Sequence, residues 1–194
     1  MNKIKVKDSS EIPKNFTGVV EYPNGNKYWY KEGLFHREDG PAIEDQNRYK
    51  EWHKEGKLHR LDGPAIEGQN GEKEWWIEGE RHRDDGPAVE TKDGRKHWWN
   101  KGNFHRLDGP AIEESNGDKQ WLIEGNLHRE DGPAVEFSNG YKQWWIDNIE
   151  YLPINLKHHV LLDSYKGKYG IMWYKLLGKD KIFEYPDIPG LITK

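Results

Sequence analysis

Five histidines recur in this 194-residue chain at an unvarying interval of 23 residues: His36, His59, His82, His105 and His128. Each is followed by Arg, one variable residue and then Asp-Gly-Pro-Ala. Imidazole, guanidinium and carboxylate at fixed spacing are the materials of metal ligation, anion binding and acid–base catalysis. Geometry weighs against the first. Equivalent residues of successive hairpins are separated by two strand spacings, about 9.6 Å, whereas each nitrogen on a shared zinc lies about 2.0–2.1 Å from the metal. One His column therefore cannot chelate one ion, and packing against a ring or bonding a turn carbonyl is the expected role.

Arg37, Arg60, Arg83, Arg106 and Arg129 each precede an Asp by two residues: Asp39, Asp62, Asp85, Asp108 and Asp131. The spacing predicts a repeated Arg–Asp clasp, with the Glu column of the repeat as a second partner. A charge at the junction of two units must be paired, because an isolated buried charge costs several kcal/mol. The functional alternative is that Arg60, Arg83, Arg106 and Arg129 contact an anion such as a nucleotide.

Catalysis needs one asymmetric constellation in a concave pocket, and every candidate group here recurs in each unit. The chain has no phosphate-binding glycine loop, nucleophile elbow or His-Glu-x-x-His pattern. We expect no enzymatic activity and no catalytic residues, metal or cofactor. Outside the register stand His158 and His159, at the junction with the C-terminal segment, where an unusual site could still be built.

The elements that must position these residues follow from the same period. Lys27, Lys50, Lys73, Lys96, Lys119 and Lys142 share one column; Trp29, Trp52, Trp75, Trp98, Trp121 and Trp144 share another. Glu21, Glu44, Glu67, Glu90, Glu113 and Glu136 form a third, so six units run from about Thr17 to residue 149. Between the Glu and Lys columns sit Asn24-Gly25, Asn70-Gly71, Asp93-Gly94, Asn116-Gly117 and Asn139-Gly140, the signal of a two-residue type I′ hairpin turn. Asn47-Arg48 breaks the rule and predicts a longer or strained loop.

Counting from a two-residue turn pairs Val20 with Trp29, Ile43 with Trp52, and so on to Val135 with Trp144, placing these columns on one structural face. The next residue of each unit then points to the opposite face: Tyr30, His53, Trp76, Trp99, Leu122 and Trp145. An unchanging column reflects packing that every unit needs, and a varying one is free to suit a partner. The expected binding surface is this second face.

Composition fits such a thin architecture. Only 34% of residues are hydrophobic, 33% are charged, and there are ten Trp. The net charge of -4, with signs interspersed, gives no electrostatic footprint for nucleic acid or anionic membranes. Cysteine is absent, which removes disulfides and thiolate chemistry. No signal-peptide core or long apolar run is present, so a soluble, cytoplasmic protein is expected.

The 23-residue hairpin unit, with its aromatic strand and Gly turn, resembles the MORN repeat and its variants over roughly two-thirds of the chain. It departs from that pattern in having Gly-Pro-Ala for Gly-x-Gly and Trp-Trp for aromatic-x-Gly. The string His-Arg-x-Asp-Gly-Pro-Ala also resembles repeats in proteins of bacteriophages and large DNA viruses. The expected fold is mainly β: an elongated single-layer antiparallel β-hairpin repeat array, a MORN-like meander, spanning on the order of 55 Å.

Residues 1–16 are expected to form an N-terminal cap or strand. Residues 150–194 are expected to form a small, partly helical C-terminal cap. Tyr169, Met172, Trp173, Leu176 and Leu177 fall at helical spacing, and a shorter helix is expected over residues 156–163. The alternative for this segment is a docking or dimerisation element.

The resemblance implies protein–protein scaffolding. The expected partner is a protein, a host or virion component in the cytoplasm of a host if the chain is viral. Capture of a small nucleotide by Trp stacking and Arg/Lys contacts is the alternative.

Overall fold

The computed structural model of the chain describes residues 2–151 and, further on, the backbone of three strands: Leu161–Lys166, Met172–Leu176 and Phe183–Tyr185. The fold is mainly β, and its centre is one long meandering sheet. Gly18–Glu21, Lys27–Lys31, Ile43–Glu44, Lys50–Glu51, Ile66–Glu67 and Lys73–Glu74 follow one another across it in chain order, and the meander continues to Lys142–Ile146 and Ile149–Tyr151. Lys3–Lys5 lies parallel to Gly18–Glu21 at its edge. A short 3-10 turn at Ser9–Glu11, N-capped by Asp8, returns the chain to Phe16, which packs with Val6 and Val20.

Each unit contains two hairpins rather than one. In the first, Glu67 pairs with Lys73 and Ile66 with Glu74. The loop has three residues: Gly71 N–H donates to Gly68 C=O and Gly68 N–H to Glu72 C=O. Gly71 takes a φ of +87° while Asn70 keeps a negative φ. This is a type I turn followed by a left-handed glycine, not the two-residue type I′ turn that Asn-Gly predicts. The extra residue shifts every pairing by one, and a one-residue slip exchanges the faces of a strand. Ile43, Ile66, Val89, Ile112 and Val135 therefore stand opposite Glu51, Glu74, His97, Gln120 and Gln143, not opposite Trp; in the first unit Val20 stands opposite Tyr28.

The type I′ turn occurs in the second hairpin. His53–Lys54 pairs with Lys57–Leu58 around Glu55-Gly56, whose φ values are +50° and +80°. Glu32-Gly33, Glu78-Gly79, Lys101-Gly102, Glu124-Gly125 and Asp147-Asn148 repeat it. Trp52 is the joint between the hairpins: its N–H donates to Ala65 C=O, and its own C=O accepts from His59 N–H. The short hairpins are also joined unit to unit, for example by Gly79 N–H to Leu58 C=O at 2.9 Å.

In the four inner units the strand is interrupted at the Trp, whereas Lys27–Lys31 and Lys142–Ile146 run through Trp29 and Trp144 unbroken; side chains of the short hairpins pack on the Ile/Val side of the sheet. Ala111 and Ile112 pack with Leu122, Phe104 and Leu127, the last three from short hairpins. The alanines at 42, 65, 88, 111 and 134 are fully buried, so the Ala of the repeated string marks a position with no room for a larger side chain.

Of the helix expected around Tyr169 to Leu177, the described part, Met172–Leu176, is strand; Tyr169 and Leu177 lie outside the described residues. Leu161–Lys166, Met172–Leu176 and Phe183–Tyr185 form a three-stranded antiparallel sheet. A short apolar run such as Met-Trp-Tyr-Lys-Leu satisfies helical and strand spacing alike, and its aromatic content favours the strand. Of the shorter helix expected over 156–163, the part from Leu161 is strand; residues 156–160, His158 and His159 among them, lie outside the described residues.

Candidate interaction surface

The Arg residues of the repeated string are built into the fold. Arg60 Nε donates to Asp62 Oδ1 at 2.9 Å, and Nη1 donates to Pro64 O and Glu67 Oε1, both at 3.1 Å. Its Cζ lies 4.0 Å from the centre of the Trp52 ring. A methyl group on Gly63 would stand 3.0 Å from the same carbon, no farther than from Nε or Nη2. That places the glycine over a face of the guanidinium rather than at its edge. The group is thus sandwiched between an indole and a glycine, with its acceptors around the rim. Arg37, Arg83, Arg106 and Arg129 repeat the arrangement on Trp29, Trp75, Trp98 and Trp121.

The partner carboxylates point to solvent. Asp39, Asp62, Asp85, Asp108 and Asp131 are 83–85% exposed, while their Arg partners are only 20–22% exposed. The hydrogen bond from each Arg holds the Asp carboxyl below its ordinary pKa. The accessible charge of each clasp is therefore the carboxylate.

The histidines tie one unit to the next. His36, His59, His82 and His105 accept, through Nδ1, the N–H of the first residue in the following type I′ turn, as Glu78 N–H donates to His59 at 3.2 Å. These groups would otherwise be unpaired donors where a non-glycine residue is held at positive φ. In the last unit His128 Nδ1 meets the Asp147 carboxylate instead, at 2.8 Å. Among the described residues no group of three His, Asp or Glu side chains is placed to hold a metal ion.

The column expected to form an open face lies largely inside. His53 and Leu122 are buried, and Tyr30, Trp76, Trp99 and Trp145 are half-buried. Burial pushes the Tyr30 hydroxyl up to about 12. Trp99 packs against Phe104, the two rings tilted by 32° with their centres 3.7 Å apart. Trp76 donates to Glu74 Oε2, which also accepts from Arg81 Nε, and Arg81 lies against both Trp76 and Trp99. The physical reason is the one-residue shift in register: Glu74 stands opposite Ile66, and Trp76, two residues on, shares its face, so the column falls on the Ile/Val side instead of the opposite one.

What faces outward is the ridge of His-Arg-x-Asp-Gly turns and the clefts between successive turns. One cleft of about 660 Å³ lies between the turns of Arg37 and Arg60, with Trp52 and His53 in its wall. A second, about 490 Å³, has Trp75 and Ile77, and a third, about 560 Å³, has Trp98 and Trp99. At the variable position of the string, Leu61 and Leu107 are 78% and 79% exposed on the lips of these clefts. In the sequence their only signal is that they occupy the one position free to vary within a fixed motif.

No model of a known protein family matches the chain, and no curated protein is detectably similar to it. Among the described residues no helix is long and apolar enough to cross a membrane.

Proposed function

We infer that the protein is a non-enzymatic repeat scaffold of MORN-like kind that binds a protein partner, a host or virion component, along the ridge of motif turns. The observation that carries this reading is the pair Leu61 and Leu107, each more than three-quarters exposed on an Arg–Asp-clasped turn beside a Trp-walled cleft. Large apolar side chains held clear of the surface make interface anchors when flanking groups exclude water around them. Among the described residues the Arg and His side chains of the repeated string are engaged within and between units, which favours binding over catalysis.

Trp99 and His53 belong to the proposed surface through the cleft walls. Nucleotide capture is the weaker reading. It needs guanidinium groups free to meet phosphate, and Nε and Nη1 of Arg60, Arg83, Arg106 and Arg129 are spent on internal acceptors beside exposed carboxylates.

The test is capture from native lysate, analysed for proteins and small molecules, with the wild type and a Leu61→Ser/Leu107→Ser variant. A protein retained by the wild type and lost by the variant is expected. Identical protein profiles would overturn the reading, and a nucleotide released from the wild type would put capture of a small anion in its place.

A further inference from the structure

Resting on that reading, we propose the partner's chemistry: an extended, polyproline-II-like segment carrying a cationic side chain at every third residue, laid lengthwise along the ridge. Three features of the surface select this occupant. The first is charge. The guanidinium of each clasp is covered and its Asp is exposed, so the ridge shows carboxylates at 39, 62, 85, 108 and 131. Glu38 and Asp84, at the variable position, add two more that are 77% and 90% exposed. A complementary partner is basic.

The second feature is period. Equivalent residues in successive units are two strand spacings apart, about 9.6 Å. A polyproline II helix rises about 3.1 Å per residue with three residues per turn, so every third side chain returns to the same side after about 9.3 Å. The mismatch accumulates to only about 1 Å over four intervals. A β-strand advances a similar distance in three residues, but its side chains alternate, so every third one faces away. An α-helix does not bring side chains to one side at this interval, since two turns span about 10.8 Å.

The third feature is the cleft wall. Trp52, Trp75 and Trp98 line successive clefts, and Leu61 and Leu107 stand on their lips two units apart. Polyproline II segments dock in aromatic-lined grooves, where the residues between the recognised positions pack against rings. A preformed extended segment also loses little conformational freedom on binding.

The experiment uses the full chain and a fluorescein-labelled peptide of five Lys-Pro-Pro triplets, followed by fluorescence anisotropy at low and moderate salt. Saturable binding is expected, weakened by salt. A Glu-Pro-Pro peptide should not bind. A peptide of equal length and charge, with its lysines placed at alternate positions, should bind several-fold more weakly. Asp62→Asn/Asp85→Asn/Asp108→Asn should lose roughly tenfold or more in affinity.

Because those substitutions touch the Arg clasps, Leu61→Ser/Leu107→Ser and Glu38→Gln/Asp84→Asn serve as variants that leave the clasps intact, and each should also weaken binding. No saturable binding of the Lys-Pro-Pro peptide, equal affinity for both lysine spacings, or unchanged affinity in all three variants would overturn the proposal. If the peptide fails while the leucine variant still loses a captured protein, the scaffold reading stands and only the partner's chemistry is wrong.

Discussion

The guanidinium carbon of Arg83 lies 3.9 Å from the centre of the Trp75 ring, and the same contact recurs in five consecutive units within 0.1 Å. The recurring Trp-plus-Arg pattern is therefore a packing device. Each pair joins the first hairpin, which ends at the Trp, to the turn that leads into the next unit. A stacked guanidinium contributes from about 0.5–1 kcal/mol when exposed to about 2 or more when desolvated, and these are four-fifths covered.

Gly86→Ala should destabilise the protein by about 1–3 kcal/mol, although Gly86 does not adopt a positive φ. The added methyl would meet Arg83 Cζ at 3.1 Å and press the guanidinium against Trp75 on its other face, so the clasp must give by a few tenths of an ångström. Arg83→Lys should cost a similar amount, since an ammonium cannot reach Asp85, Pro87 and Glu90 together. Urea unfolding of both variants checks this; wild-type midpoints would show that the clasp contributes nothing.

Turn chemistry gives an opposite sign. Arg48 occupies, at φ +65°, the left-handed position that glycine fills in the other units. Arg48→Gly should stabilise by about 1 kcal/mol, while Gly71→Ala should destabilise by at least as much. A methyl on Gly71 meets nothing closer than 4.0 Å, so that cost is purely conformational. Thermal melts of the two variants should move in opposite directions.

Acid should loosen the array. The five clasp Asp carboxyls have folded pKa values below their unfolded ones, because Arg donates to the charged form. Stability from a depressed carboxyl is complete above the unfolded value near 4 and is lost as pH falls through the folded value. The part of the stability that the clasps supply should be complete at pH 5 and fall away below about 4. Asp62→Asn/Asp85→Asn should shallow that fall; an unchanged slope would remove the clasps as its cause.

Leu122, a member of the column once expected to face a partner, is 6% exposed. Leu122→Ala should cost about 2–5 kcal/mol, measured by urea titration, whereas loss of less than about 0.5 kcal/mol would mark it as a surface residue.

The repeat and its β character were legible because a motif at constant spacing with Gly-punctuated, Trp-bearing strands admits few architectures. Register was not. Asn70-Gly71 and Glu78-Gly79 both put a glycine at positive φ, and only the Glu, at +52°, distinguishes a two-residue type I′ turn from a three-residue loop. Glu is a poor predictor of that conformation; here His59 holds it by accepting the amide of Glu78 from the preceding unit. The one-residue difference in register exchanges the faces, which is why a two-residue turn at Asn70-Gly71 would put Trp76 and Trp99 on the opposite side of the sheet from Ile66 and Val89. The Arg–Asp clasp was readable from a two-residue spacing. The glycine beneath it was not, because Gly86 looks like an ordinary turn glycine until the guanidinium lies against it.

Residues that build the array are distinct from residues that meet a partner, and lysate capture paired with thermal melting of Leu61→Ser/Leu107→Ser and of Leu122→Ala tells them apart. The leucine pair should melt within about 0.5 kcal/mol of wild type yet lose the captured protein, while Leu122→Ala should melt lower and, below its melting range, keep it. The reverse outcome, a captured protein lost with Leu122→Ala below its melting range and retained by the double variant, would contradict the account and return the binding surface to the inner column.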